Sequence, residues 1–349
     1  MGRYERFSIG KRYFAGNPEN PNKWGWQELD LSDVKINKPT VFCLGGNASL
    51  TSREANGMCK LAQRLMGVKG PTGAGEIGTS NDVDFLGISY GKSSPNNSVT
   101  SSLTDMERLD IIQSIFRPFY LSDDGTALSR EQMLKNFNRV TFFAHCHGAT
   151  EVRKISLGIF EDMKNLGINE KDANDAVDQM FAVAYAPEFQ CAIPTLQVWS
   201  IKDKNVFDSP GPDFGKVTND FYSAQWQQKS GDGTVAFRGS DYSISVITTE
   251  IAKSNSDEHP ISVISRDDDW KIEAKDPTYG DEVSMVMGNA LALSVANSIQ
   301  NENSAEFTPT PTLDEILEET NSILAGTKNQ SFYEAIERIK SDSNGSEME

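Results

Sequence analysis

The segment RVTFFAHCHGATEV, residues 139–152, puts two of the chain's three histidines and one of its four cysteines side by side, as His145-Cys146-His147. An apolar, β-branched run leads in and small residues lead out, so the trio marks the point where a buried strand gives way to a helix. Metal ligation, redox chemistry, nucleophilic attack and a plain buried thiol compete for such a cluster. Neighbouring residues on a tight turn point in different directions, and no Cys-x-x-Cys or His-x-x-x-His spacing backs a zinc site, so no metal or other cofactor is expected. Nucleophilic chemistry fits the flanks better. A strand-to-helix turn sharp enough to expose one side chain tolerates only small residues two positions before and after it. Those positions hold Ala144 and Gly148. Backbone N–H dipoles at the start of the following helix favour a thiolate or an oxyanion there.

The stretch FFAHCHGAT resembles the nucleophile elbow of the α/β-hydrolase superfamily, with Cys146 where most members carry Ser; dienelactone hydrolases also use Cys. Ala144 departs from the commoner Gly. VFCLGGNASL resembles the strand and loop that supply half of an oxyanion hole, which implies donors at Gly46, Asn47 and the backbone N–H of His147. SGDGTVAFRGS, residues 230–240, resembles the acid loop of lipase-like members related to lecithin:cholesterol acyltransferase and lysosomal phospholipase, which assigns the acid to Asp232. PTLQVWSIKDKNVF also resembles the end of an acid-bearing strand, which keeps Asp203 as the rival. SDEHP then offers His259, the only histidine outside the elbow, in the order nucleophile, acid, histidine. The resemblance implies that His259 takes the thiol proton, Asp232 orients the ring, and Cys146 forms a thioester that water cleaves. The implied substrate is an ester, thioester or lipid acyl bond. A hydrolase-fold protein that binds without turnover, as a scaffold or a bacterial effector delivered into a host cell, is the alternative.

Several elements must position these residues. Short apolar strands are expected at TVFCLGGN, VDFLGISYG, RVTFFA, DQMFAVAYAP and PTLQVWSI, with YSISVITT as a further candidate. Helices are expected at 52–66, over LTDMERLDIIQSIFRPFY, up to about Asn138, at about 149–165, and over EVSMVMGNALALSVANSIQ. Alternation of this kind means a mostly parallel sheet with helices on both faces, for which the resemblance implies an α/β-hydrolase fold. GPTGAGEIG lacks the Gly-Lys-Ser/Thr of a phosphate loop and reads as a loop. Residues 1–38 read as an irregular lead-in, 39–301 as the hydrolase domain, and 302–349 as an acidic, partly disordered tail with short amphipathic helices.

Composition narrows the partners. A net charge of −17 over 349 residues argues against general nucleic-acid binding and against docking to anionic lipid. From Asn301 onward there are eleven acidic and three basic residues, which suits a protein partner for the tail. No apolar run approaches the roughly 18–20 residues that span a bilayer. The N-terminus has no apolar signal core, and four scattered cysteines fit reduced thiols, so a cytoplasmic location is expected.

Overall fold

The computed structural model describes residues 7–15, 24–46, 52–67, 82–90, 92–93, 99–100, 102–189, 191–200, 216–218, 243–248, 277–304, 306–310, 315–316 and 318. Its described elements run β1 (Ser8–Phe14), β2 (Trp24–Leu29), β3 (Thr40–Leu44), α1 (Ser52–Leu65), β4 (Asp84–Ser89), β5 (Lys92–Ser93), β6 (Val99–Thr100), α2 (Asp105–Ile111), α3 (Arg130–Asn138), β7 (Val140–His145), α4 (His147–Asn165), α5 (Glu170–Val177), β8 (Phe181–Tyr185), β9 (Thr195–Ser200), β10 (Lys216–Thr218), β11 (Ser243–Thr248) and α6 (Pro277–Asn303). Nine of the described strands form one sheet in the order β10-β11-β9-β8-β7-β3-β4-β1-β2. From β10 to β4 every pairing is parallel, and β1 and β2 join antiparallel at the edge. The fold is therefore α/β, with a mostly parallel mixed sheet.

The central strands are apolar because both of their faces are covered. Alternate residues divide between two cores. Val41, Cys43, Phe143, Val183 and Leu196 pack with α1 and α6 on one side. Phe42, Leu44, Phe142, Ala144 and Ala182 pack with α3, α4 and α5 on the other. After β3 the chain passes through α1 to β4 on one side of β3; β7 later returns on the other side. The exits of β3 and β7 thus diverge to opposite faces at the carboxyl ends of these two strands. In open parallel sheets this switch point is where ligands bind.

Three expectations need correction. Residues 1–38 are not an irregular lead-in: β1 and β2 pair as a hairpin and extend the sheet, with Ile9 facing Ile88 of β4. Lys11 and Lys38 both reach Asp84, at 2.6 and 2.9 Å, and pin this edge. These strands alternate polar and apolar residues and carry glycines, so they lack the continuous apolar run of the central ones. The segment around LTDMERLDIIQSIFRPFY is not one helix. It opens at a Thr104–Glu107 capping box, widens to a π turn over Ile112–Phe116 and tightens to a 3-10 turn at Arg117–Phe119. Pro118 has no N–H to donate to the helical ladder, and the register breaks around it. Helix α5 was not expected; its eight residues, EKDANDAV, hold too few large apolar side chains to announce themselves.

Nor does the body end at residue 302. Asn138, at the foot of β7, donates to Asn297 Oδ1 and to Thr310 Oγ1, both at 2.8 Å, and accepts from Asn301 Nδ2 at 2.8 Å. Thr310 Oγ1 also donates to the carbonyl of Gln179 at 2.6 Å. Residues 306–310 are thereby fastened under the sheet, and Ile316 joins the core beside α1 and α6. Replacing Asn138 with Ala strands several buried amide groups. Urea denaturation is expected to show a loss of about 1–3 kcal/mol, with faster amide exchange over residues 306–310.

Candidate active site

Only one residue separates β7 from α4, and that residue is Cys146. Its backbone sits at φ 52°, ψ −122°, a region costly for any residue with a β-carbon. The surroundings impose it. Cys146 N–H donates to the carbonyl of Tyr185 on β8 at 3.1 Å, and its own carbonyl accepts from the N–H of Ala149 at 3.2 Å. The first turn of α4 presses directly on the end of β3. A β-carbon at Gly148 would lie 2.4 Å from the Leu44 carbonyl oxygen and 2.8 Å from that of Gly45. Glycine is thus required two residues after Cys146, as the steric argument anticipated. Gly46 is equally close on the other side: its β-carbon would stand 2.9 Å from Cβ of Cys146 and 3.5 Å from its sulfur. The absence of a side chain leaves backbone beside the thiol. Tyr90 fixes this loop by donating its hydroxyl to the Gly45 carbonyl.

Cys146 itself is 5% exposed. Its thiol donates to Oε1 of Glu188 at 3.8 Å. Glu188 lies beyond the end of β8, where Ala186 adopts φ 45° and turns the chain back over the elbow. The backbone N–H of Glu188 then donates to the Cys146 carbonyl at 3.3 Å. Oε2 of Glu188 lies 2.7 Å from Nδ1 of His147 and accepts from Thr150 Oγ1 at 3.4 Å. The other ring nitrogen of His147 lies 3.2 Å from Oε1 of Glu151 and 2.8 Å from Oγ of Ser102. Glu151 is fully buried and is held by Arg108 at 3.1 Å and Lys154 at 3.5 Å. A line of alternating groups results: thiol, carboxylate, imidazole, carboxylate, guanidinium.

Burial alone would lower the pKa of His147. The hydrogen bonds to Glu151 and Glu188, with their negative charges, outweigh it and raise the pKa to about 9. Both ring nitrogens face carboxylates, so near neutral pH the ring is a cation that donates from each. Burial would raise the pKa of Glu151, but the bond from His147 and the charges of Lys154, Arg108 and His147 bring it below the usual carboxylate value. The Tyr90 hydroxyl is pushed well above its ordinary range by burial and then by Glu151, Cys146 and Glu188, so it stays a neutral donor.

Of the residues picked out from sequence, the structure brings Cys146, His147 and Gly46 together. His145 borders the same spot, its Nδ1 3.2 Å from where a β-carbon at Gly46 would stand, and its ring lies 5.8 Å from that of Tyr185. Asn47, Asp203, Asp232 and His259 lie outside the described residues, as do the loop GPTGAGEIG and most of the tail. Glu188, Glu151, Ser102 and Tyr90 were missed. Nothing in their local sequence marks them; only the register of β8 beside β7 and the bend at Ala186 bring Glu188 to the thiol. Among the described residues no set of three or more His, Cys, Asp and Glu side chains is grouped to hold a metal ion. Among them, too, no helix is long and apolar enough to cross a membrane.

Compared with models of known protein families and with curated protein sequences, the chain matches none. The functional reading rests on its own geometry.

Replacing Gly148 with Ala is expected to cost about 1–3 kcal/mol in urea denaturation, the usual range for forcing atoms into a packed site. The raised pKa of His147 sets a pH dependence. The ring's stabilising contribution is complete below its ordinary value of 6.5 and is lost as pH rises through about 9. An NMR titration should place the His147 midpoint near 9, and Glu188→Gln should move it down. Over the same window wild type should lose more stability than His147→Asn.

Proposed function

We propose that this chain is a hydrolase or acyltransferase that cleaves an ester, thioester or lipid acyl bond through an acyl-enzyme on Cys146. The observation that carries the proposal is the backbone of Cys146. A residue with a side chain, held at positive φ between a parallel strand and a helix, is strained, and such strain persists where a protein has a use for it. It is also the geometry of a nucleophile elbow, in which one side chain stands clear of both elements at the edge of a sheet. Three further facts support the reading. Cys146 lies at the topological switch point of the sheet. Gly46 presents bare backbone beside the sulfur, fit to supply an oxyanion donor together with the N–H of His147. The 19-residue helix α4 begins at His147 with no side-chain cap, so its first N–H groups are available to developing negative charge.

In this reading the sulfur attacks the acyl carbon, and backbone donors at Gly46, Asn47 and His147 hold the oxyanion. Collapse of the tetrahedral intermediate leaves a thioester, which a water or acceptor alcohol then cleaves. Asp232 and His259 complete the machinery as acid and base, with Asp203 as the alternative acid. β9 and β11 run parallel to β7, and Asp203 follows β9 and His259 follows β11 in the chain, which agrees with such roles for those two; Asp232 precedes β11.

A panel of p-nitrophenyl esters and acyl thioesters tests the proposal. Wild type should turn over at least one of them. Cys146→Ala and His259→Ala should each lose turnover by roughly a hundredfold or more, in line with the loss of a nucleophile or base. Intact-mass spectrometry should trap an acyl adduct on the Cys146 peptide. Undiminished turnover in Cys146→Ala would sink the proposal. A chain that neither turns over nor acylates belongs to the binding alternative.

A further inference from the structure

The thiol of Cys146 has a partner that the reading above does not use. Glu188 Oε1 is its acceptor, the same carboxylate accepts from the imidazolium of His147 and the hydroxyl of Thr150, and the backbone N–H of Glu188 donates to the Cys146 carbonyl. We propose that Glu188 is the catalytic proton acceptor for Cys146, so that the first proton of the reaction passes to this carboxylate and His259 is left to activate water in the second half. The inference rests on the acyl-transfer reading for its reaction, though not for its geometry.

The physical case has three parts. Reach comes first. The carboxylate meets the sulfur in the described structure at 3.8 Å, and catalytic contacts of this kind are often long before substrate arrives. Compensation comes second. A carboxylate beside a thiolate would by itself oppose ionisation of the sulfur. His147 answers this, because its cationic ring is shared between Glu188 and Glu151 and stays in place when the proton moves. Before transfer the ring balances the carboxylate; afterwards Glu188 is neutral and the ring's charge stays beside it, one carboxyl group from the new thiolate. Position comes third. Glu188 is anchored to the backbone of the nucleophile itself, so the two groups keep their separation if neighbouring loops shift.

The step balances. The S–H bond breaks, and its proton goes to Oε1 of Glu188. The sulfur electron pair forms the bond to the acyl carbon, and the carbonyl pair moves onto oxygen. When the intermediate collapses, the bond to the leaving oxygen or sulfur breaks, and that atom takes the proton back from Glu188.

The test uses the full chain and two readouts. One is the rate at which iodoacetamide alkylates Cys146, followed at pH 7 on the Cys146 peptide by mass spectrometry. The other is the pre-steady-state burst of p-nitrophenol from p-nitrophenyl acetate. Glu188→Gln should slow both by at least about tenfold, within the range of a positioned proton acceptor. Glu188→Ala should be slow in both and regain speed with added formate, which a purely structural carboxylate would not allow. His259→Ala should keep the burst and lose the steady state. Alkylation by Glu188→Gln that is equal to or faster than wild type would overturn the proposal, as would an absence of formate rescue. If neither Glu188 variant folds by circular dichroism, the His259→Ala burst decides: retained, it supports Glu188; lost, it returns the proton to His259. The two readings fail separately. Alkylation that depends on Glu188 in a chain that never acylates removes the acyl-transfer reading and leaves the proton acceptor. Acylation indifferent to Glu188 does the reverse.

Discussion

The contact on which the rest depends is the one between the first turn of α4 and the carbonyl ends of β3. Gly148 touches the oxygens of Leu44 and Gly45 so closely that not even a methyl group fits between them. That approach leaves a single residue for the whole reversal from strand to helix, and so forces Cys146 to positive φ. It also brings Gly46 against the sulfur and sets the N-terminus of α4 beside it. The backbone strain, of order 1–3 kcal/mol, is held by two apolar cores that clamp β7 and its neighbours from either face.

A second strained position works with the first. Ala186 does at the end of β8 what Cys146 does at the end of β7, and the two adjacent strands hand their chain ends toward each other. The polar groups that gather there are shielded by protein and hydrogen-bonded to one another. His147 holds its proton because carboxylates flank both of its nitrogens, and Glu151 tolerates full burial because Arg108, Lys154 and His147 surround it. The network gives the elbow a fixed electrostatic surrounding that does not depend on solvent.

What could be read from the sequence follows from how strongly each element is buried. β3, β4, β7 and β8 are buried along their whole length and mostly apolar, so they are legible. β1 and β2 at the edge, with residues such as Gly10, Arg12, Gly25 and Gln27, carry no such signal. The π turn at Ile112–Phe116 hides inside a pattern with ordinary helical spacing. At the site, Cys146, Gly148 and Gly46 were legible because their requirement is local and steric. Glu188 was not, because its role arises from pairing between strands, which no short window of sequence contains; Glu151 stands one helical turn from His147, but its burial and its contact with Arg108 are set by tertiary packing.

The asparagine cluster at Asn138 has one more consequence. It lies at the foot of β7, whose six residues, about 20 Å of strand, separate it from the elbow. Whatever displaces residues 306–310 therefore acts on an anchor at the bottom of the strand that carries the nucleophile. The load is borne by side-chain amides before it reaches the sheet, so this segment is mechanically joined to the reactive strand at the end opposite the sulfur.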